Sequence, residues 1–106
     1  MNKARDKGIR FEQYLAKKFR ENGYPECVCS RAESKTQDDL KVDLCFSGIW
    51  NVQAKNVERL GSIHKILDSM PKDSKVNVVF HKRARQGVTV SMTEEDFWTI
   101  VRLIND

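Results

Sequence analysis

The sequence predicts an α/β domain in which a central mixed sheet of five strands is flanked by helices. Apolar residues recur at the helical period near both ends of the chain and again in its middle. Between these segments lie short stretches rich in Val and aromatic residues, bounded by Gly, Pro and polar residues, as is typical of strands. The predicted order is helix, three strands, helix, two strands, helix.

The first helix is predicted for residues 4–22, and Gly23 is a suitable residue just after its end. Its inward stripe has the spacing of a core-facing helix and comprises Gly8, Phe11, Glu12, Leu15, Ala16 and Phe19. Glu12 is unusual there, because a buried carboxylate is costly unless it borders a polar cleft or has a positive partner. We therefore expect Glu12 either to serve a site or to form a salt bridge with Arg31 or Lys55.

The segment after this helix is predicted to contain a short extended strand at residues 27–31 and a polar loop without periodicity at residues 32–41. Arg31 and Ser34 either contact phosphate or order this loop. The two acidic residues at positions 38 and 39 lie close to lysines in the sequence, which favours a solvated turn.

Residues 42–55 alternate apolar and polar side chains on either side of a Ser-Gly turn signal, which predicts a β-hairpin. Facing residues of paired strands share one side of the sheet, so Asp43 is opposite Gln53 only if the turn contains three residues. We expect Gly48 to supply the positive φ of such a turn. Asp43, Gln53 and Lys55 then form one polar patch.

The second half of the chain predicts a helix at residues 57–70, strands at residues 75–80 and 88–92, and a final helix that begins after Thr93. Thr93 is a good N-cap residue, and the three acidic residues after it suit the positive end of the helix dipole. Both tryptophan residues are expected in the core.

Composition limits the classes of protein that fit. The 106 residues suffice for a single domain spanning residues 1–106, and 40% hydrophobic with 32% charged residues is a globular balance. No segment is apolar enough for a membrane span, and the N-terminus lacks the features of a secretory signal. The three cysteines lack the spacings of a zinc site and indicate reduced thiols in the cytoplasm.

The net charge of +4 is modest, but its distribution is informative. Basic residues cluster near the N-terminus and again at residues 81–85, HKRAR, between the last two predicted strands. Such a run is usually a solvated hairpin tip, and the alternative is an arm that contacts phosphate.

The polar patch has the composition of a site for phosphodiester hydrolysis. Asp43 and the amide oxygen of Gln53 are hard oxygen ligands of the kind that Mg²⁺ takes, and Mn²⁺ can substitute. The Ala54 carbonyl and Glu12, directly or through water, are further candidate ligands. Lys55 can stabilise charge developing on phosphate, or position and help deprotonate an attacking water. The alternative for Asp43 and Lys55 is an exposed cross-strand ion pair.

The order of Glu12, Asp43 and the triplet Gln-Ala-Lys at residues 53–55 resembles the PD-(D/E)xK nuclease superfamily, whose core is a helix followed by a hairpin that carries these elements. A KG-x-x-x-E element at residues 7–12, with Arg31 and Ser34 before the acid, is similar to the archaeal and phage type of Holliday-junction resolvases. The resemblance covers roughly the first half of the chain.

Two positions depart from the family pattern. Val42 replaces a structural Pro, and Gln53 replaces an acidic metal ligand, although nucleases of the Mrr type carry QxK in the same place. Since an amide offers a neutral oxygen, metal affinity is expected to depend on a contribution from Glu12.

The resemblance implies a restriction-endonuclease-like fold and a Mg²⁺-dependent endonuclease whose catalytic residues are Glu12, Asp43, Gln53 and Lys55. It also implies a homodimer that resolves branched DNA by paired nicks, in the host cytoplasm if a phage encodes it. The residues expected to contact DNA are Lys7, Arg10, Arg31, Ser34, Lys82, Arg83 and Arg85. Two alternatives stay open: an Mrr-like or repair nuclease on duplex DNA, and a non-catalytic DNA-binding protein of the same fold.

Overall fold

Residues 3–105, the part of the chain that this computed structural model describes, contain five helices and five strands. In chain order they are α1 (Lys3–Glu21), β1 (Val28–Cys29), α2 (Ser30–Glu33), α3 (Lys35–Asp39), β2 (Leu44–Cys45), β3 (Trp50–Asn56), α4 (Ile63–Asp68), β4 (Val76–Arg83), β5 (Gly87–Ser91) and α5 (Glu94–Ile104). The predicted α/β class is confirmed. No helix among these residues combines the length and apolar character needed to cross a membrane.

The strands form two sheets, so the prediction of one five-stranded sheet is wrong. β3 and β4 are parallel and β4 and β5 antiparallel, which makes a mixed three-stranded sheet, whereas β1 and β2 form a separate antiparallel pair. Where the two sheets meet, Asp43 N–H donates to Val52 O (2.7 Å). The N–H of Ala54 donates instead to the Asp43 carboxylate (2.7 Å), and Phe46 takes a positive φ of 60° just after β2. A side-chain bond and a turn therefore replace the predicted hairpin ladder.

Helices α1 and α4 cover opposite faces of the three-stranded sheet. Val78 of β4 belongs to the main core, with Phe11 and Leu15 of α1. The next residue, Val79, points to the other face and packs with Leu67 of α4. The predicted stripe of α1 is confirmed, since its four buried residues are Phe11, Glu12, Leu15 and Ala16. β3 is an edge strand of this sheet, and the edge that does not pair with β4 is hydrogen-bonded to Asp43.

Residues 30–39 form two short helices, so the predicted polar loop at residues 32–41 is wrong. These helices contain four and five residues, which is too few to show a helical period. The hydroxyl of Ser34 accepts the N–H of Gln37 (3.2 Å) and so caps α3. Ser34 therefore orders this segment, one of the two roles expected of it.

The middle helix is shorter than the predicted span of residues 57–70, because α4 covers only Ile63–Asp68. Its start is set by Ser62, whose hydroxyl accepts the N–H of Lys65 (3.3 Å). Because of this cap, the helix begins at residue 63, six residues after the start at residue 57 that the apolar periodicity predicts.

The last three elements lie where the sequence predicts them, but β4 continues through residues 81–83, so most of the basic run is strand and the turn to β5 comprises residues 84–86. Thr93 caps α5 by accepting the N–H of Asp96 (3.1 Å), as expected. Trp98 is not in the core, which corrects the prediction. It is exposed on α5, where its indole N–H donates to Glu94 (3.1 Å). Trp50 is half-buried against the main core.

The turn before β3 depends on Gly48. Its φ is +65°, which confirms the expected left-handed conformation, and a Cβ at this position would collide with the ring of Tyr24. The hydroxyl of Ser47 donates to Trp50 O (2.8 Å), and this hydrogen bond closes the turn. Backbone conformation and close packing therefore both require glycine here.

We expect Gly48→Ala to lower the free energy of unfolding by roughly 2 to 3 kcal/mol, since it adds left-handed strain to a steric clash. Gly61→Ala is the matched control, because Gly61 has open space around its Cα and no positive φ. It should change stability by no more than about 0.5 kcal/mol. Guanidinium titrations of both variants measure the difference, and equal midpoints would contradict this account of the turn.

Candidate functional site

The four residues predicted to be catalytic border one cleft of about 400 Å³ at the edge of β3. Glu12 comes from α1, Asp43 from the segment before β2, and the other two from β3 itself. The complete lining is Glu12, Asp38, Lys41, Asp43, Gln53, Ala54, Lys55, Ile66 and Ser69. The structure thus brings together carboxylate, amide and ammonium groups from distant parts of the sequence.

Asp43 is held by three hydrogen bonds. Its carboxylate Oδ2 accepts the N–H of Ala54 (2.7 Å), its N–H donates to Val52 O (2.7 Å), and its carbonyl accepts the N–H of Ser30 (2.9 Å). Backbone and side chain are both bonded to β3, the strand that carries Gln53 and Lys55. The carboxylate is consequently fixed in position relative to β3 before any ligand arrives.

Burial raises the pKa of the Asp43 carboxyl to about 6. The nearby negative charges of Glu12 and Asp38 raise this pKa further, whereas the Ala54 N–H and the charge of Lys55 lower it. A carboxylate in such a position gains most from a cation that neutralises it, which is the electrostatic signature of many functional sites.

Gln53 contains an unsatisfied polar atom. Its side chain is only 6% exposed, and Oε1 is the one buried side-chain oxygen or nitrogen among residues 3–105 without a hydrogen-bond partner. Leaving a buried acceptor unbonded costs about 1 to 3 kcal/mol, so such an atom usually has a ligand or a catalytic role. Its place in the cleft beside Asp43 indicates an oxygen reserved for a bound group.

Glu12 is paired with Arg31. Arg31 Nη2 donates to Oε2 (2.9 Å) and Nε donates to Oε1 (3.2 Å), a two-pronged ion pair that engages both carboxylate oxygens. This is the salt bridge that the sequence left open as an alternative. In this geometry Glu12 adds negative charge next to Asp43, and Arg31 is directed at Glu12. The metal-ligand role of Glu12 and the phosphate-contact role of Arg31 stay predictions.

Lys55 is half-buried near the end of β3, and its positive charge acts on Asp43 across the cleft. Asp38 and Lys41 also line the cleft, which the sequence does not predict. Asp38 lies on the short helix α3 and was expected in a solvated turn. Only the folding of that segment over the site brings it close, and no periodicity in the sequence signals this.

A second groove of about 420 Å³, which we call the basic groove, gathers three of the predicted DNA-contact residues. Lys7 and Arg10 of α1 face Lys82 of β4 across it, and Tyr14 and Asn56 complete its polar and aromatic lining. Two basic clusters 70 residues apart in the sequence therefore meet in space. This convergence provides a positive surface suited to phosphate groups.

The other basic residues of the run at residues 81–85 lie outside this groove. Arg83 is within 3.7 Å of Glu58 in an exposed ion pair, and Arg85 is exposed in the turn with a positive φ of 64°. The solvated-tip alternative thus describes Arg85 well, while Lys82 belongs to the basic groove.

Among residues 3–105, no three acidic, histidine or cysteine side chains lie close enough together to hold a metal ion. The cysteines Cys27, Cys29 and Cys45 are free thiols, as expected. Any cation in the cleft would rest on Asp43 and the Gln53 amide, with solvent or substrate oxygens completing its shell.

Comparison of the chain with models of known protein families, with curated proteins and with solved structures gave no significant match.

Replacing Arg31 should destabilise the folded chain, because the buried Glu12 carboxylate then has no partner. We expect Arg31→Met to lower the free energy of unfolding by roughly 2 to 3 kcal/mol, because it leaves a buried carboxylate without its partner. The double variant Glu12→Gln/Arg31→Met should lose less, since no charge is then left buried. Arg83→Met is the control, because the exposed pair with Glu58 contributes little. If the single and double variants lose equal stability in urea titrations, the ion pair does not support the site.

The raised pKa of Asp43 predicts a pH dependence of stability in the presence of a chelator. Between the ordinary pKa near 3.8 and the folded value of about 6, the folded chain keeps a proton that the unfolded chain releases. The stabilisation present below pH 3.8 is therefore lost as the pH rises through 6. The Asp43→Asn variant has no carboxyl to titrate here. Between these two pH values, its free energy of unfolding should therefore rise by up to roughly 3 kcal/mol relative to that of the parent.

Denaturant titrations between these pH limits measure that difference. Asp39→Asn is the control, because Asp39 is an exposed carboxylate that pairs only with Lys35 on the same helix. Parallel pH profiles for the parent and Asp43→Asn would contradict the proposed burial of this carboxyl.

Proposed function

We propose that this chain is a Mg²⁺-dependent DNA endonuclease of the PD-(D/E)xK type, which nicks branched DNA in pairs as a homodimer. The observation that carries the proposal is the unpartnered Gln53 Oε1, buried in the same cleft as the Asp43 carboxylate and the Lys55 ammonium. These are the groups at the positions that the sequence resemblance assigns to metal binding and catalysis.

The donor set suits Mg²⁺. This ion binds through one or two protein oxygens and completes its octahedron with water and phosphate oxygens. Asp43 supplies a charged oxygen and Gln53 a neutral one, while Mn²⁺, with similar preferences, can substitute. A bound cation would polarise the phosphate and lower the pKa of a coordinated water. The chain's own part is to keep the two oxygens fixed, through the bond between Asp43 and Ala54 N–H.

Lys55 has two roles open to it. Its ammonium group can donate hydrogen bonds to the phosphate oxygens on which negative charge develops. Alternatively, it can orient the attacking water and help to remove its proton. The ion pair between Glu12 and Arg31 keeps a second carboxylate near Asp43, which favours a positive group in the cleft.

The basic groove supports DNA as the substrate. Lys55 lines the cleft and Asn56, the next residue of β3, lines the basic groove. Because successive residues of a strand point to opposite faces, a nucleic-acid strand with one phosphate in the cleft would pass round this end of β3 to place neighbouring phosphates against Lys7, Arg10 and Lys82. Such contacts position the backbone without reading base sequence.

The preference for branched DNA rests on the resemblance to junction resolvases, and two specific observations favour other functions. The neutral Gln53 matches the QxK of Mrr-like nucleases, which favours a duplex substrate. The engagement of both Glu12 oxygens by Arg31 leaves Asp43 as the one unpaired carboxylate among the predicted ligands, which favours a non-catalytic DNA-binding protein.

A cleavage assay separates these functions. We expect the chain with Mg²⁺ or Mn²⁺ to introduce paired nicks into a four-way junction and to cut a linear duplex of the same arm sequence poorly. Asp43→Asn and Lys55→Ala should each reduce the rate by roughly 10²-fold to 10⁴-fold, because a metal ligand or a charge-stabilising group is lost. Gln53→Glu should shift the Mg²⁺ dependence towards lower concentration, since it restores a charged ligand.

Binding measured in the presence of a chelator is the control. Asp43→Asn should bind DNA at least as tightly as the parent, whereas Lys7→Ala with Lys82→Ala should weaken binding at low salt. Equal cutting of junction and duplex would replace the resolvase by the duplex nuclease. Retained binding without cleavage by the parent chain would favour the non-catalytic protein.

A further inference from the structure

An apolar groove of about 360 Å³ lies beside α1, on the face of the three-stranded sheet that α1 covers. It is separate from the cleft around Asp43 and from the basic groove. Its walls include Phe19, Tyr24, Trp50, Phe80, Val90 and Met92. Phe80 and Val90 face each other across β4 and β5, so this side of the outer hairpin is apolar and uncovered. Val90 is 49% exposed.

Helix α5 carries a stripe of apolar side chains that is largely exposed. Phe97, Val101 and Ile104 follow at spacings of four and three residues, which places them along one side of the helix. None of the described residues of α5, Glu94–Ile104, is buried, and Phe97 and Ile104 are 49% and 75% exposed. An amphipathic helix normally turns such a stripe towards a core.

The helix does not fill the groove of its own chain, although it starts beside it. Met92 lines the groove, and only Met92 and Thr93 separate β5 from α5. Yet the groove is lined by residues of α1, of the sheet and of their connections, and by none of Glu94–Ile104. Ile100 of α5 packs against the main core of its own chain, but Phe97 and Ile104 on the same side of the helix are exposed, and the apolar groove is also uncovered.

The area that the chain exposes beyond that of an average folded monomer is large enough for one half of a dimer interface. A folded monomer of 12.3 kDa is expected to expose about 6,100 Å². This chain exposes 7420 Å², an excess of about 1,300 Å² over that expectation. A stable protein interface buries about 800 Å² on each partner, so the excess is sufficient for one.

We infer that a second copy of this chain covers both surfaces, with α5 of each protomer lying in the apolar groove of the other. Such an exchange is self-complementary and closes with two-fold symmetry. It buries the stripe of Phe97 and Ile104 against the walls around Phe80 and Val90 twice per dimer. The interface follows from the apolar surfaces alone and holds whether or not the chain is a nuclease.

Sedimentation of the full chain across a wide range of concentration, without DNA or metal, tests this interface. The parent chain is expected to be a dimer. Ile104→Glu on the helix and Val90→Lys in the groove should each raise the dimer dissociation constant by about 100-fold or more, because each buries an unpaired charge. Both sites are exposed in the protomer, so circular dichroism should show an unchanged fold. Leu40→Lys is the control, because Leu40 is 47% exposed, close to the value for Val90, but belongs neither to α5 nor to the lining of the groove. This variant should leave the dimer intact.

Mixing the two monomeric variants distinguishes the reciprocal arrangement from other dimers. A mixed dimer keeps one unaltered contact between helix and groove and places the introduced charges of opposite sign in the other. The mixture should therefore form dimers that neither variant forms alone. A parent chain that stays monomeric at every concentration, or a dimer that tolerates both substitutions, overturns the inference. Loss of cleavage in Asp43→Asn with an unchanged dimer would separate the interface from the catalytic proposal.

Discussion

The bond between the Asp43 carboxylate and the Ala54 N–H is the constraint on which the site depends. It occupies a donor that a regular hairpin would pair with a backbone carbonyl, and it joins the small sheet to the edge of the larger one. The same bond fixes the acid relative to Gln53 and Lys55 on either side of Ala54. The departure from ideal strand pairing and the geometry of the candidate site therefore have one cause.

Charge in the cleft is balanced incompletely. Arg31 compensates Glu12, but only the charge of Lys55 and one N–H lower the pKa of Asp43, against the effects of burial and two neighbouring acids. An unbonded amide oxygen beside this carboxyl adds a further cost of folding. Local destabilisation of this kind is commonly retained where a ligand removes it, since ligand binding to the folded state alone stabilises that state.

Three surfaces with different chemistry surround the sheet. The acidic cleft borders β3, the basic groove lies between α1 and the end of β4, and the apolar groove lies between α1 and β5. Helix α1 contributes to all three, through Glu12, Lys7 and Phe19. Its amphipathic pattern thus organises the surface as well as the core, and the lining of the apolar groove shares no residue with the linings of the other two.

The sequence by itself determined the elements that have a strong period or a capping residue. These include the stripe of α1, the cap of α5 at Thr93, the β4–β5 hairpin and the positive φ of Gly48, because each depends on neighbours in the chain. It also identified four side chains that share the cleft, since alternation along a strand restricts which residues share a side. Only the tertiary structure decided that the strands divide into two sheets, that Arg31 engages Glu12, that Asp38 borders the cleft and that Trp98 is exposed. Each of these depends on contacts between distant segments, whose free energies no local pattern encodes.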